Sequence, residues 1–146
     1  MDLVYPDGAH NAESMFMDPV SKKIFIVTKS GTGESIVFRK SPPHRGETTT
    51  TLTEVTRLDF SHTPLSGTNT TSADISADGT EILIKTYTST FLWRRDPGAT
   101  VWDAFKTSPC PISNGPGEAI GMTPDKRSYF TIAEGSNVAL YRFDRQ

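Results

Sequence analysis

The chain has 146 residues, the size of one domain with a sizeable hydrophobic core. Its formal net charge of −2 gives no electrostatic reason to expect a nucleic-acid partner or an acidic membrane. The single cysteine, Cys110, excludes an internal disulfide, and no apolar run approaches the roughly 20 residues of a membrane-spanning helix. The N-terminal residues lack a signal-peptide pattern, so the cytoplasm is the expected compartment by default.

In chain order, the sequence is a succession of short runs rich in β-branched and aromatic residues. Gly, Pro, Asn and Asp separate these runs, and a helical period of apolar residues is hard to find. This pattern predicts an all-β protein. The first run, at residues 2–5, stands alone ahead of the others.

Three longer stretches repeat one arrangement, in which a strand with small residues, a tight turn and a largely apolar second strand follow one another. They begin at Glu13, Thr71 and Glu118 and read ESMFMDPVSKKIFIVTKS, TSADISADGTEILIKTYT and EAIGMTPDKRSYFTIAEG. Their turns, DPVSKK, SADGTE and TPDKRS, are rich in residues that favour chain reversal. The chain therefore contains a threefold repeat of one β unit.

Each repeat continues into a third strand, in which an aliphatic residue, an aromatic residue and an arginine recur. These strands read IVFRK, FLWRR and ALYRF, and their aromatic residues align as Phe38, Trp93 and Tyr141. The repeat period of roughly 50 residues is close to the period of about 40–50 residues that β-propeller blades have.

A fourth strand is predicted at residues 53–60 in the first repeat and at residues 101–109 in the second. The third repeat lacks one, whereas the isolated run at residues 2–5 has no three strands ahead of it. We therefore predict one domain over residues 1–146, a half-propeller of three blades, each with four antiparallel strands. Its blade units are residues 12–60, 70–109 and 117–146, with the strand at 2–5 in addition.

Three blades do not make a ring, because a closed β-propeller typically has four to eight blades. An open arrangement exposes strand edges and two apolar blade faces, which favours association. Two chains supply six blades and close the ring with twofold symmetry. The sequence thus predicts a homodimer in which residues 2–5 of each chain complete the last blade of the other.

Three segments resemble blades of a bacterial propeller family that is related to phytase-like and esterase-like six-bladed propellers. They are YPDGAHNAESMFMDP, SADISADGTEILIKTYTSTFLW and GEAIGMTPDKRSYFTIAEGSNVALYR. The resemblance covers nearly the whole chain but only about half of a six-bladed family member. It implies the propeller fold and suggests phosphoester or ester hydrolysis with a bound cation.

In propellers, ligands usually meet the channel mouth, where loops enter the first strand and leave the second strand of each blade. Glu13 and Glu118 hold the same position in two repeats, and Thr71 holds it in the remaining one. Like charges at a narrow channel raise a pKa or recruit a cation such as Ca²⁺, which prefers oxygen ligands. We therefore predict Glu13 and Glu118 as a Ca²⁺ site. The predicted ligand-binding residues are His10, Asn11, Glu13, Lys29, Tyr87, Glu118 and Glu134.

The sequence leaves three roles open for these glutamates. The first role is structural, in which the glutamates hydrogen-bond loop amides or pair with Lys29. The second role is ligand binding, and the third is catalysis. We expect a binding or scaffold module for a small molecule or a protein, without catalysis. The alternative is a cation-dependent phosphoesterase or esterase, which needs several carboxylates that converge on one point.

Overall fold

The computed structural model describes residues 1–61, 68–112 and 117–145, and its regular structure is dominated by β-strands, as predicted. The elements, in chain order, are β1 (Asp2–Val4), β2 (Ala12–Met17), β3 (Ile24–Thr28), β4 (Glu34–Lys40), β5 (Thr49–Thr51), β6 (Thr53–Asp59), β7 (Thr70–Ile75), β8 (Glu81–Thr86), β9 (Thr90–Arg94), α1 (Val101–Ala104), β10 (Cys110–Ile112), β11 (Ala119–Met122), β12 (Ser128–Ile132) and β13 (Leu140–Asp144).

Three antiparallel sheets follow one another along the chain in the manner of propeller blades. Blade 1 has the strand order β2-β3-β4-β6, and blade 2 has the order β7-β8-β9-β10. Blade 3, as far as the structure describes it, has the order β11-β12-β13. The first strands are innermost, because β7 lies beside β2 on one side and beside β11 on the other. The all-β, propeller-like architecture predicted from the repeat is thus confirmed.

Short polar side chains of the inner strand β7 form hydrogen bonds with backbone groups of both neighbouring blades. The Thr70 hydroxyl donates a hydrogen bond to the Thr28 carbonyl oxygen of blade 1 (2.9 Å). On the other side of β7, the Asp74 carboxylate accepts a hydrogen bond from the Met122 N–H (2.6 Å). Because these side chains are short, the inner strands approach closely, which accounts for the small residues of the first strands.

The second strands are mostly apolar, and that of blade 2 has a neighbouring blade on each of its faces. In β8, Ile82 and Ile84 pack into the core between blades 1 and 2, whereas Leu83 packs between blades 2 and 3. Successive side chains of a strand point to opposite faces, so a strand covered on both sides favours apolar residues on both of its faces. The larger core includes Phe16, Phe25, Val27, Phe60, Phe91, Trp93 and Phe105.

The fourth strand of blade 2 lies further along the chain than the sequence predicted. Residues 101–104 form the short helix α1, and the outer strand is β10, which pairs with β9. Thr100 and Asp103 form a capping box, in which each side chain bonds the backbone N–H of the other residue. Pro111 is tolerated in β10 because β10 is the edge strand. No helix in the described ranges has the length and hydropathy that crossing a membrane requires.

The third-strand alignment is correct for two blades and shifted in the other. Phe38 and Tyr141 hold equivalent ladder positions, but in blade 2 that position belongs to Phe91, and Trp93 lies two residues further on. The equivalent cross-strand pairs are Ile26–Phe38, Ile84–Phe91 and Thr131–Tyr141. A two-residue shift keeps the aromatic side chain on the same face, so the repeat of aromatic residues hides the offset.

The N-terminal strand β1 pairs in parallel with β5 of its own chain, a pairing that the sequence did not predict. Leu3 and Tyr5 pack against Phe38 and its apolar neighbours on the face of blade 1 that points away from blade 2. The β1 strand therefore covers the outer part of this face. Whether it also completes a blade of another chain stays a prediction.

Two blade faces retain exposed apolar side chains, and we call them the flanks. The first flank is the face of blade 1 that points away from blade 2, where Met15 is 62% exposed and Met17 is also exposed. The second flank is the face of blade 3 that points away from blade 2, where Leu140 is 62% exposed next to Ile132. The flanks thus lie at opposite ends of the row of three blades.

A buried ion pair ties the first hairpin of blade 1 to blade 2. The Arg95 guanidinium lies 3.1 Å from the Asp18 carboxylate, and both side chains are buried. Burial opposes ionisation, but hydrogen bonds from Ser21 and Arg95 lower the pKa of Asp18 below its usual value. Gly79 makes room for the pair, because its φ is +73° and a Cβ would lie 2.3 Å from an Arg95 nitrogen.

Replacing Arg95 by Met should destabilise the protein by about 3–5 kcal/mol, because the Asp18 carboxylate would stay buried without its partner. Urea unfolding at neutral pH measures this change. The matched control is Arg57→Met, which breaks exposed ion pairs with Glu34 and Glu54 and should cost about 1 kcal/mol or less. Equal effects of the two substitutions would contradict a structural role for the buried pair.

Candidate functional site

The first strands of blades 1 and 2 carry a β-bulge at the same repeat position. The register of β2 against β3 shifts at Glu13, and the register of β7 against β8 shifts at Thr71. A bulge adds one residue to a strand and re-aims its side chain. In blade 3 the equivalent residue, Glu118, directly precedes β11, and its N–H donates to the Ile132 carbonyl oxygen (2.7 Å). The repeat therefore delivers Glu13, Thr71 and Glu118 to the same end of the inner strands.

A second set of equivalent residues follows the second strand of each blade. Lys29 directly follows β3, Tyr87 directly follows β8, and Glu134 lies just beyond β12. Since each second strand is antiparallel to its first strand, the end of one lies beside the start of the other. This geometry brings both sets of residues to one end of the blades.

Lys29 is the centre of the contacts between blades 1 and 2 at this end. Its ammonium group donates to both oxygens of the Glu13 carboxylate (2.8 and 2.9 Å) and to the Tyr87 hydroxyl (2.6 Å). The hydrogen bond with Glu13, followed by that with Tyr87, raises the pKa of Lys29. Lys29 thus stays positively charged and neutralises Glu13. Pairing with Lys29 is one of the roles that the sequence left open for Glu13.

Glu118 and Glu134 share a hydrogen bond in blade 3. Burial raises the pKa of Glu118, and the nearby charge and hydrogen bond of Glu134 raise it further. The charge of Glu13 acts in the same direction, whereas that of Lys29 acts in the opposite one. Two carboxyl groups in contact hold a proton more readily than either group alone.

Five of the predicted residues come together at this end, and we call them the inner-strand cluster: Glu13, Lys29, Tyr87, Glu118 and Glu134. Asn11 contributes its backbone carbonyl oxygen, which accepts a hydrogen bond from the Lys29 N–H (2.8 Å). His10 lies elsewhere, because its ring packs edge-on against Tyr5 and bonds the Asp7 carboxylate (2.8 Å). The ligand-binding roles of these residues stay predictions.

The geometry gives little support to the predicted Ca²⁺ site on Glu13 and Glu118. Ca²⁺ takes six to eight oxygen ligands, yet the Glu13 carboxylate is occupied by Lys29. Within residues 1–61, 68–112 and 117–145, no group of three or more His, Cys, Asp or Glu side chains is arranged to hold a metal ion. The Ca²⁺ site therefore stays a prediction.

The structure has a cleft between blades 2 and 3 that the sequence did not predict. It has a volume of 340 Å³, and its lining combines apolar side chains with Glu81, Arg94 and Lys126. These three residues come from the β8, β9 and blade 3 regions of the chain. No local motif marks a cleft of this kind, because its walls become neighbours only when the blades pack together.

Comparison with known proteins supports the fold alone. No protein-family model matches the chain, and no curated protein is similar to it. Among solved structures, the chain is similar to the C-terminal WD40 domain of Sif2, at 12% identity and a TM-score of 0.55. The match covers 92% of this chain and 34% of that chain. The similarity shows a β-propeller-like fold, and the relation to phytase-like and esterase-like propellers stays a prediction.

The raised pKa of Glu118 predicts that ionising this residue opposes folding. Folded Glu118 binds its proton more tightly than unfolded Glu118, so the contribution of Glu118 to stability should fall as pH rises from the ordinary glutamate pKa through the raised value. Glu118→Gln should therefore raise the melting temperature at about pH 7 and have little effect near pH 4. Thermal melts across this range measure the difference.

The control for this prediction is Glu47→Gln, which changes an exposed glutamate in the connection between β4 and β5. Its melting temperature should follow the wild-type pH profile. A Glu118→Gln variant that is less stable than wild type at neutral pH would contradict the prediction, and would show that the ionised carboxylate stabilises the fold.

Proposed function

We propose that this chain is a non-catalytic binding module that acts as a homodimeric, six-bladed β-propeller. The observation that carries the proposal is the position of β1. Leu3 and Tyr5 cover the outer part of the first flank, as Ile112 of the outer strand β10 packs against blade 3. The β1 strand thus has the position that the outer strand of a blade preceding blade 1 would occupy.

Blade 3 of a second copy could form the blade that precedes blade 1, with β1 as its outer strand. In the part of the chain that the structure describes, blade 3 has three strands, and β13 is its edge. Pairing of β13 with the β1 strand of the second copy gives a blade of four strands. The same contact recurs at the other junction, so twofold symmetry closes a ring of six blades.

The two flanks are complementary in chemistry. Met15 and Met17 of the first flank and Ile132 and Leu140 of the second are exposed apolar side chains. In the closed ring, the second flank of one copy stacks on the first flank of the other, next to β1. Burial of this apolar surface supplies the driving force for association.

Strand alternation specifies how β1 meets β13. Leu3 and Tyr5 of the second copy stay packed on their own blade 1, so Val4 of that copy points to the opposite face. On β13, this face carries Tyr141. Val4 is 42% exposed and Tyr141 is 41% exposed in the single chain. Contact between the two would remove both from water.

The inner-strand cluster is the proposed ligand-binding surface. Twofold symmetry would place two copies of the cluster around one channel, with a lysine and acidic groups in each. A polar surface of this kind suits a small polar molecule or a protein loop as ligand. A cation-dependent hydrolase would need carboxylates free to bind the cation, and the ion pair of Glu13 with Lys29 argues against it.

Light scattering should give a mass of about 32 kDa, twice the 16.0 kDa of one chain. Deleting residues 1–5 should convert this dimer to a monomer or weaken it strongly, because the deletion removes the closing strand at both junctions. A wild-type chain that stays at 16 kDa at high concentration would contradict the proposed homodimer. That result would favour the alternative that the other blades of the ring belong to a longer polypeptide.

Disulfide trapping tests the same junction without removing residues. In a Cys110→Ser background, Val4→Cys with Tyr141→Cys should yield a covalent dimer on mild oxidation, because the two side chains share a face. Val4→Cys with Leu140→Cys is the matched control, since neighbouring positions of β13 point to opposite faces. Equal crosslinking of the two pairs, or none in either, would contradict the proposed junction.

Calcium addition separates the binding module from the hydrolase. The proposal expects no change in melting temperature with Ca²⁺ and no activity on generic phosphate-ester or carboxylic-ester substrates. A Ca²⁺-dependent rise in melting temperature, lost in Glu13→Gln and accompanied by hydrolysis, would overturn the non-catalytic function.

A further inference from the structure

The cleft between blades 2 and 3 is lined by a stacked pair of aromatic rings. The rings of Tyr129 and Phe143 stack with their centroids 4.9 Å apart and their planes 9° from parallel. Leu83, Leu92 and Ile112 of blade 2, together with Met122 of blade 3, complete the apolar lining. Its volume of 340 Å³ lies in the range of about 300–1,000 Å³ typical of small-molecule pockets.

Most charges at the rim of the cleft have close partners. The Glu81 carboxylate accepts two hydrogen bonds from Arg145 (2.6 and 3.1 Å). The Lys126 ammonium group donates to the Asp78 carboxylate (2.6 Å). The Asp144 carboxylate accepts hydrogen bonds from neighbouring side chains of blade 3. These groups form a polar border that is largely neutralised from within the protein.

Arg94 differs from the other charged residues of the rim. Its guanidinium lies 3.8 Å from the Glu81 carboxylate, beyond hydrogen-bond distance, and its side chain is 72% exposed. Glu81 already holds Arg145 in two hydrogen bonds. Arg94 therefore presents a positive charge and hydrogen-bond donors beside the apolar lining.

From this juxtaposition we propose that the cleft binds a small molecule with an apolar body and one carboxylate. The apolar body lies against Tyr129 and Phe143, and the carboxylate accepts hydrogen bonds from the Arg94 guanidinium. Arginine suits this task because its planar fork of donors matches the two oxygens of a carboxylate. A cationic ligand of the same shape is repelled by Arg94.

This site is separate from the inner-strand cluster and goes beyond the proposed function. Glu81 begins β8 and Lys126 lies in the turn between β11 and β12, whereas the cluster lies at the other end of these strands. Both walls belong to one chain, so binding in the cleft does not require the dimer. A failed dimer prediction and a failed cleft prediction are therefore distinguishable.

Cys110 provides a specific reporter of occupancy. It is the only cysteine of the chain, it is exposed, and it lines the cleft. We expect 2-naphthoate to slow alkylation of wild-type Cys110 by iodoacetamide, as followed by intact-protein mass spectrometry. The amine 2-naphthylmethylamine has the same rings with a positive charge, and should leave the rate unchanged.

Calorimetric titration of 2-naphthoate tests the role of Arg94. Arg94→Gln should weaken binding about ten-fold or more, because a hydrogen-bonded charge pair is lost. Arg94→Lys, which keeps the charge but loses the fork, should fall between wild type and Arg94→Gln. Arg45→Gln, which changes an exposed arginine outside the cleft, should bind as wild type does.

Two results would overturn the assignment. The first is equal protection of Cys110 by the carboxylate and the amine, or protection by neither. The second is unchanged 2-naphthoate affinity in Arg94→Gln. Slowed alkylation by the carboxylate alone, with loss of affinity in Arg94→Gln and not in Arg45→Gln, supports the site whatever the mass in solution.

Discussion

The structure depends on one constraint, which is that each blade needs apolar cover on both of its faces. Side chains alternate along a strand, so the fully buried run Ile82–Ile84 faces blade 1 and blade 3 in turn. A single sheet of this kind is unstable in water, and stacking buries both faces. The same constraint extends to the exposed Met15 and Met17 of the first flank and Ile132 and Leu140 of the second, which have the character of blade-to-blade surfaces.

Close packing of the inner strands creates the polar end of the blades. Short side chains such as Thr70 and Asp74 bond neighbouring strands directly, and the bulges at Glu13 and Thr71 turn one residue of each strand out of the regular ladder. The fold and the candidate site are therefore linked, because the bulge that interrupts the strand ladder also redirects the side chain of the extra residue.

Equivalent repeat positions carry different chemistry in the three blades. The position that follows the second strand of each blade holds Lys29, Tyr87 or Glu134, although the surrounding strands are arranged alike in the three blades. The result is an ion pair between Glu13 and Lys29 in blade 1 and a hydrogen-bonded carboxyl pair in blade 3. Most buried strand positions are apolar because packing favours apolar side chains, whereas these positions at the strand ends are free to differ.

The sequence by itself determined the β class, the threefold repeat, the hairpins and the shared end of Glu13, Lys29 and Glu118, because alternation and turn residues act over a few neighbours. The capping box at Thr100 was also a local signal, and it marks the helix that was mistaken for a strand. Tertiary structure alone decided the pairing of β1 with β5, the ladder position of Phe91, the Glu118–Glu134 hydrogen bond and the cleft beside Arg94. Each of these depends on which strands lie side by side, and the energy that selects those neighbours comes from burial across the whole fold.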